Sequence, residues 1–358
     1  MSILGQVLIW TLVGVLGILG VFLLFSTLNV YSPQSVLALS PISTPVNLSG
    51  YVPKKFSVLT WNLGYAGLDK SENFFMDGGT MSMPDDKGLV EQNMKAITNF
   101  LSSNKTDFII LQEVDKRAAR TYGINEVGQI TKTFRNYETF YAVNYKVDFV
   151  PVPLNHPMGN VESGIMVLTR YKAFDATRYA FPGDYSWPVD LFQLKRCFIV
   201  TKYKIKNSSK ELILVNLHLS AFDKSGNLRK GQLDLLKKFI TKEYNDGNYV
   251  LVGGDWNNIM PGIAMNHFQY TTPKKYIAGI YQKLPKDWTP TGWKWAFDPN
   301  VPSVRSDEKA YVKGENFTTI IDGFLLSPNL KLVSVKTFDL GFANSDHNPV
   351  KLVVEIKK

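Results

Sequence analysis

The chain has 358 residues, 45% of them hydrophobic, which is enough for a large core and too apolar for a disordered protein. Its 40 basic and 31 acidic residues give a net charge of +9 that favours anionic partners, but the basic residues are scattered, which argues against a dedicated nucleic-acid-binding arm. The one cysteine, Cys197, excludes an intrachain disulfide and any cysteine-based metal cluster.

Ile3 to Leu28 contains no charged residue. A membrane-spanning helix needs roughly 20 apolar residues, and a secretory core only about 7–15. Residues 1–30 therefore read as a transmembrane signal anchor. A cleaved signal peptide is the alternative, with Val36-Leu37-Ala38 as a cleavage site, and a buried soluble helix is disfavoured by the lack of a polar face. Either leading reading places the rest of the chain outside the cytoplasm, anchored in the first case and secreted in the second. Residues 31–53 carry Ser, Pro, Thr and Asn without charge and read as an extended linker.

Residues 54–358 read as one domain with alternating strand and helix patterns. Strands are expected at Phe56–Trp61, Phe108–Gln112, Tyr137–Val147, Gly164–Thr169, Cys197–Ile205 and Leu212–Leu219. Further strands are expected at Tyr249–Val252, Phe317–Leu326 and Lys351–Ile356, and helices at Leu89–Ser103 and Leu228–Tyr244. Gly64 to Gly88 reads as a loop. The segment from Pro261 to Glu315, with Trp288, Trp293 and Trp295, reads as a long insert whose aromatics either line the site or form a core beneath it.

Polar residues recur where these apolar runs end. Asn62 follows Ser57-Val-Leu-Thr-Trp, and Glu113 follows Phe108-Ile-Ile-Leu-Gln. Asn216 and His218 share a face at a spacing of two, and Asp322 closes Thr318-Thr-Ile-Ile. Ser345-Asp346-His347 precedes the final strand. The stretch Tyr249-Val-Leu-Val-Gly-Gly-Asp255-Trp-Asn257 delivers a carboxylate and a carboxamide after two glycines, a pairing suited to a hard cation or a phosphate oxygen. A lone acid after a strand is usually a loop residue. The repetition of one pattern points instead to a site built at one end of a sheet.

In this order, Trp61-Asn62, Gln112-Glu113, Asn216-Leu-His218, Gly254-Asp255-Trp-Asn257, Ile321-Asp322 and Ser345-Asp346-His347 resemble the endonuclease/exonuclease/phosphatase superfamily, the deoxyribonuclease I-like fold. The resemblance covers residues 56–358. It implies a four-layered α/β sandwich, two packed and mostly antiparallel β-sheets flanked by helices, following the N-terminal helix. It also implies a divalent-metal-dependent phosphodiesterase or phosphatase, with Mg²⁺ as the expected ion and Mn²⁺ or Ca²⁺ as alternatives. Glu113 would be the principal metal ligand, with Asn62 beside it and Asp346 in support. Asp255 would orient or deprotonate the attacking water, and Asn257 would hold a phosphate oxygen. Asp322 and His347 would form a carboxylate–imidazole pair, and His218 would face the scissile phosphate and protonate the leaving oxygen. Asn216, Arg229 and Arg196 are candidate substrate contacts, with Arg229 equally placed to cap or pack the start of the following helix.

Histidine at position 218 leans toward the deoxyribonuclease, sphingomyelinase and phosphoesterase branches. Asn258, where inositol polyphosphate 5-phosphatases place an arginine, argues against that substrate. The expected partners are an extracytoplasmic nucleic acid or a phospholipid headgroup, and the membrane through the N-terminal helix, with the protein a monomer. The competing reading is a catalytically idle binding module for anionic ligands on the same fold.

Overall fold

The computed structural model describes residues 2–357 except Asp184 and Lys224. The N-terminal segment forms one helix, α1 (Ile3–Leu28), with none of its residues buried. The strands are β1 (Val36–Ala38), β2 (Lys55–Asn62), β3 (Phe108–Ala118), β4 (Glu138–Val150), β5 (Gly159–Thr169), β6 (Asp175–Ala180), β7 (Cys197–Lys204), β8 (Glu211–His218) and β9 (Tyr249–Asp255). Short pieces β10 (Asn258–Ile259), β11 (Gln282–Lys283), β12 (Lys294–Ala296), β13 (Val304–Arg305) and β14 (Thr318–Thr319) follow, then β15 (Asp322–Leu326), β16 (Leu330–Thr337) and β17 (Val350–Ile356). Helices α2 (Lys87–Ser103), α3 (Glu126–Thr133) and α4 (Asn227–Asn245) complete the domain.

One sheet has the order β1-β6-β7-β8-β9-β15-β12 and the other β16-β17-β2-β3-β5-β4. Phe56, Phe108, Phe140, Tyr203, Leu251 and Phe324 fill the space between them. Leu233, Leu236 and Ile240 seat α4 on the outer face of the first sheet. Val90, Met94, Ile97 and Leu101, at helical spacing, seat α2 on the outer face of the second, and Val127 and Ile130 of α3 join them. The result is helix, sheet, sheet, helix. The α2 helix starts at Asp86, whose carboxylate accepts the Leu89 N–H at 3.1 Å, the usual way to satisfy an orphan donor of the first turn.

Several local expectations are corrected. The strand at Tyr249 does not turn at its two glycines but runs through them to Asp255. Glycine is needed there for closeness: Gly254 sits at φ +136°, and a Cβ would meet the Leu217 carbonyl oxygen at 2.1 Å. The expected strand from Phe317 is broken into β14 and β15, because the Ser303 hydroxyl accepts the N–H groups of Ile321 and Asp322, both at 3.0 Å. The α3, β6 and β16 elements are additions to the expected set; α3 has eight residues and β6 six, short lengths for a period to stand out. Trp288 and Trp293 are buried with Trp256 under α4, so these aromatics form a core beneath the insert.

Residues 31–53 are extended, but not free. β1 pairs antiparallel with the edge strand β6, Ser43 bridges to Thr139, and Val52 bridges to Ile205. The Arg178 guanidinium donates to the Gln34 carbonyl at 3.3 Å and to the Lys195 carbonyl at 3.0 Å, binding this segment to the domain.

Candidate active site

Two parallel strand pairs, β2/β3 in one sheet and β8/β9 in the other, end at the same place. In register, His218 lies opposite Asp255 and Asp255 opposite Asp322, so the three side chains leave one face of their sheet together. Asn62 arrives from the other sheet and bridges the gap, its Nδ2 donating to Asp255 Oδ2 at 3.0 Å and to Glu113 Oε1 at 3.2 Å. Glu113 sits at φ +51° within the first bulge of β3. A non-glycine residue in this left-handed conformation costs on the order of 1–3 kcal/mol and persists only where its surroundings enforce it. Here the bulge is what turns the carboxylate into the site.

The loop before β17 delivers the remaining groups. Ser345 donates to the Asn62 carbonyl at 2.8 Å and accepts the His347 N–H at 3.0 Å, while Trp61 Nε1 donates to the His347 carbonyl at 2.9 Å. These bonds fix the backbone of His347 over β2. Its ring Nδ1 lies 2.8 Å from Asp322 Oδ2, leaving Nε2 facing Asp346 Oδ2 at 3.6 Å and Asp255 Oδ2 at 3.8 Å.

The electrostatics of the two histidines differ sharply. Burial pulls the His347 imidazole down, but Asp322 and Asp346 outweigh it and hold the ring well above the ordinary histidine range. Burial, aided by Arg196 and His347, pushes His218 well below that range, so this ring is neutral. Its Nε2 lies 3.4 Å from Asp255 Oδ2 and 3.7 Å from Glu113 Oε1. Burial and the neighbouring Asp322 raise the Asp255 carboxyl to about 6. Burial likewise raises Asp346 to about 6, with His347 opposing and Glu113 reinforcing the shift.

Asp255, Asp322 and His347 bring ligand atoms within 4.8 Å of one another, a composition able to hold a metal ion. His347 already donates to Asp322, however, so this trio carries its own positive charge. Among the described residues no Lys or Arg forms an ion pair with Glu113 or Asp346. These two carboxylates, offset by the His347 imidazolium 3.6 Å from Asp346 Oδ2, fit a hard divalent cation. Asn62 fits less well than the sequence suggested. Its Oδ1 already accepts the Gly64 N–H at 3.0 Å, which leaves one lone pair, and its nitrogen faces the carboxylates, which it orients.

Two of the expected substrate contacts lie elsewhere. Asn216 is fully buried between the sheets, donating to the Leu111 and Met166 carbonyls and accepting from Gln112. Arg229 donates to the carbonyls of Ala221, Asp223, Asn257 and Ile280, and thereby clamps the loops around Asn257. Both roles are structural. Arg196 does line the cavity, and its Nη1 is buried without a partner. Asn257, at φ +46°, donates its N–H to Asp255 Oδ1 and its Nδ2 to the Leu219 carbonyl, both at 2.8 Å. One amide proton remains for a ligand.

Around these groups lies a cavity of about 220 Å³, walled by Tyr65, Phe75, Tyr145, Met158, Tyr185 and Phe222. Asp77 and Asp307, from the 64–88 loop and the insert, add two acids to its floor. Burial raises both well above the usual carboxylate range; the neighbouring Asp307 reinforces the shift of Asp77, and Asp346 that of Asp307. Arg305 pairs with Asp307 and donates to the carbonyls of Asp69 and Glu72, tying the two loops together. The sequence gives no sign of this floor, because neither acid follows a strand.

The Endonuclease/Exonuclease/phosphatase family model matches residues 59–347. No curated protein matches the sequence. Among solved structures, ANGEL2, a 2',3'-cyclic phosphatase in complex with adenosine-2',3'-vanadate, superposes with a TM-score of 0.56 at 14% identity, over 89% of this chain and 99% of that one. An endonuclease/exonuclease/phosphatase from Beutenbergia cavernae gives 0.54 at 14% identity over 85% and 72%. TDP2 from Caenorhabditis elegans gives 0.52 at 15% identity over 87% and 76%. At these identities the likeness establishes the fold.

Proposed function

This chain belongs to the endonuclease/exonuclease/phosphatase family of phosphoesterase hydrolases, and from that premise we propose that it is a divalent-metal-dependent phosphodiesterase acting outside the cytoplasm from a membrane anchor. The observation that carries the reading is the Asp322–His347 pair, an imidazolium held 2.8 Å from Asp322 with the raised Asp255 carboxyl at 3.8 Å, together with Glu113 and Asp346, which no Lys or Arg pairs among the described residues. Charge of this arrangement suits an anionic centre that gains negative charge as it is attacked.

Glu113 and Asp346 would hold the cation, with Mg²⁺ the expected ion, and the ion supplies neutralisation of the phosphate charge. Asp255, with a carboxyl near 6, takes the proton of the attacking water at neutral pH. Asn62 and the Asn257 N–H hold the two Asp255 oxygens, which fixes the direction of that transfer. His347 Nε2 donates to the phosphorus-bound oxygen as charge develops, while Asp322 keeps the ring protonated and oriented. His218 is neutral, so we assign it a hydrogen bond to a non-bridging oxygen in place of leaving-group protonation, and the departing oxygen takes its proton from solvent water. Arg196 and the free Asn257 amide proton bind the phosphate from the cavity side. Every group in the scheme comes from one chain, so a monomer suffices.

The expected substrate is a nucleic acid or a phospholipid headgroup. The test is hydrolysis by the full chain, with Mg²⁺, of bis(p-nitrophenyl) phosphate, plasmid DNA, RNA and phospholipid vesicles. Turnover that needs the metal and disappears in His347→Ala, with the circular dichroism spectrum unchanged, supports the assignment. A folded protein that turns over none of them removes it.

A further inference from the structure

The anchoring helix and the catalytic domain touch, and the place where they touch fixes the height of the domain. Apart from the half-buried Gly5, residues 3–21 of α1 are all exposed, and aromatic contact with the domain begins at Phe22. At 1.5 Å per residue those 19 residues span about 28 Å, close to the ~30 Å hydrocarbon thickness of a bilayer. Phe22 stacks on Phe192 with ring centroids 5.8 Å apart and meets Phe149 edge-on at 6.2 Å. One turn further on, Trp187 Nε1 donates to the Thr27 hydroxyl at 3.2 Å. A helix that fills the bilayer up to residue 21 brings Phe149, Trp187 and Phe192 to its surface.

That part of the domain is unusually apolar for an exposed face. Leu154 is 86% exposed, Trp187 60%, Phe149 44% and Val152 42%. Leu154 and Val152 belong to the loop that follows Phe149 at the end of β4. A cluster of large apolar side chains on an exposed rim marks an interaction site, and tryptophan favours the lipid headgroup layer. Lys146 and Asp148, both exposed beside the helix end, offset each other in charge, so the attraction of this face rests on its apolar side chains. The rim is also the edge of the catalytic cavity, since Val152 and Phe192 line it together with His218 and Asp255.

We propose that the face bearing Phe149, Leu154 and Trp187 rests on the lipid surface, so that the catalytic cavity opens at the bilayer and takes a phosphate ester carried by a lipid. This rests on the anchored-hydrolase reading above and chooses between its two substrate classes. The occupant is a lipid surface because the patch is continuous with the apolar helix and lies at the level where that helix leaves the hydrocarbon.

The test uses the full chain in vesicles of phosphatidylcholine and phosphatidylglycerol. Leu154→Cys and Trp187→Cys are spin-labelled, with Val46→Cys, at a position 98% exposed, as the water-facing control; the native Cys197 is fully buried and stays unlabelled. Labels at 154 and 187 are expected to collide with oxygen in preference to a water-soluble nickel chelate, and the label at 46 to do the reverse. All three behaving alike overturns the proposal. So does mutual broadening of the labels, which would show a second copy covering the patch. This readout needs no turnover, so it stands even if the hydrolase reading fails. In the active protein, combining Leu154→Glu with Trp187→Glu is expected to slow headgroup release from vesicles by about tenfold. Hydrolysis of soluble bis(p-nitrophenyl) phosphate should be unchanged. Equal rates on vesicles overturn the proposal, and nucleic acid as the sole substrate overturns the lipid-borne class.

Discussion

Replacing Asp322 by Asn separates charge from shape at the centre of the site. Asn is isosteric and can still accept from His347 Nδ1 at 2.8 Å, so the fold and the ring position should survive. What disappears is the charge. Two unit charges 2.8 Å apart attract by about 6 kcal/mol at an effective dielectric of 20, before the cost of burial is subtracted. Burial alone favours a neutral His347, and Asp322 is the leading force against it. Without that carboxylate, Asp346 at 3.6 Å and Asp255 at 3.8 Å must hold the proton at longer range. Loss of the imidazolium should lower kcat by roughly 10²–10⁴-fold, the range expected for a positioned proton donor and charge stabiliser. The assay is bis(p-nitrophenyl) phosphate hydrolysis with saturating Mg²⁺, together with ¹⁵N spectra of labelled histidine to read the ring's charge at pH 7.5. The His347 resonances are identified by their absence in His347→Ala. An Asp322→Asn protein with kcat within about threefold of the parent, or a parent whose His347 is neutral, refutes the reasoning.

Glu113→Gln should weaken metal binding and cut kcat/KM by about 10³-fold while leaving thermal stability unchanged or raised, because a carboxylate with no Lys or Arg partner is removed and the backbone at φ +51° stays as it is; calorimetric Mg²⁺ titration checks the first part. The acid limb of kcat/KM should fall near pH 6, since Asp255, raised by burial and Asp322, must be ionised to accept the water proton. Activity then drops as pH falls through that value, and a limb near 4 would exclude Asp255 as the base. Asn216→Leu should cost about 2–4 kcal/mol in chemical denaturation, because it strands the Gln112 amide and two carbonyls between the sheets. The folded fraction should keep its KM, and a raised KM would return Asn216 to the substrate.

The polar residues closing apolar strands were legible because the fold repeats one device: a buried strand ends and its last outward side chain reaches the site. Asn62, His218 and Asp255 are of this kind, whereas Asp322 opens β15 and reaches the same sheet end because that strand runs antiparallel to β9. Glu113 was legible as a residue type, but its bulge was not, since nothing in Leu111-Gln-Glu-Val114 marks a left-handed residue. Asn216 misled because a spacing of two from His218 predicts a shared face, and that face continues inward between the sheets. Arg229 misled for the opposite reason. An arginine at the start of a helix looks available to phosphate, whereas here four carbonyls surround it. Asp77 and Asp307 were invisible because two irregular loops, joined through Arg305, place them, and loop conformation leaves no periodic trace.

The strap formed by β1 has a further consequence for the solitary domain. All three of its residues are exposed, so it adds little to the core. Its contribution is to cover β6, whose outer backbone groups would otherwise be open to a strand from another molecule. A chain shortened to begin at residue 54 keeps every catalytic side chain, but it uncovers that edge and deprives Arg178 of the Gln34 carbonyl. Such a protein should self-associate through β6, whereas one beginning near residue 30 keeps that edge covered and should not associate through it.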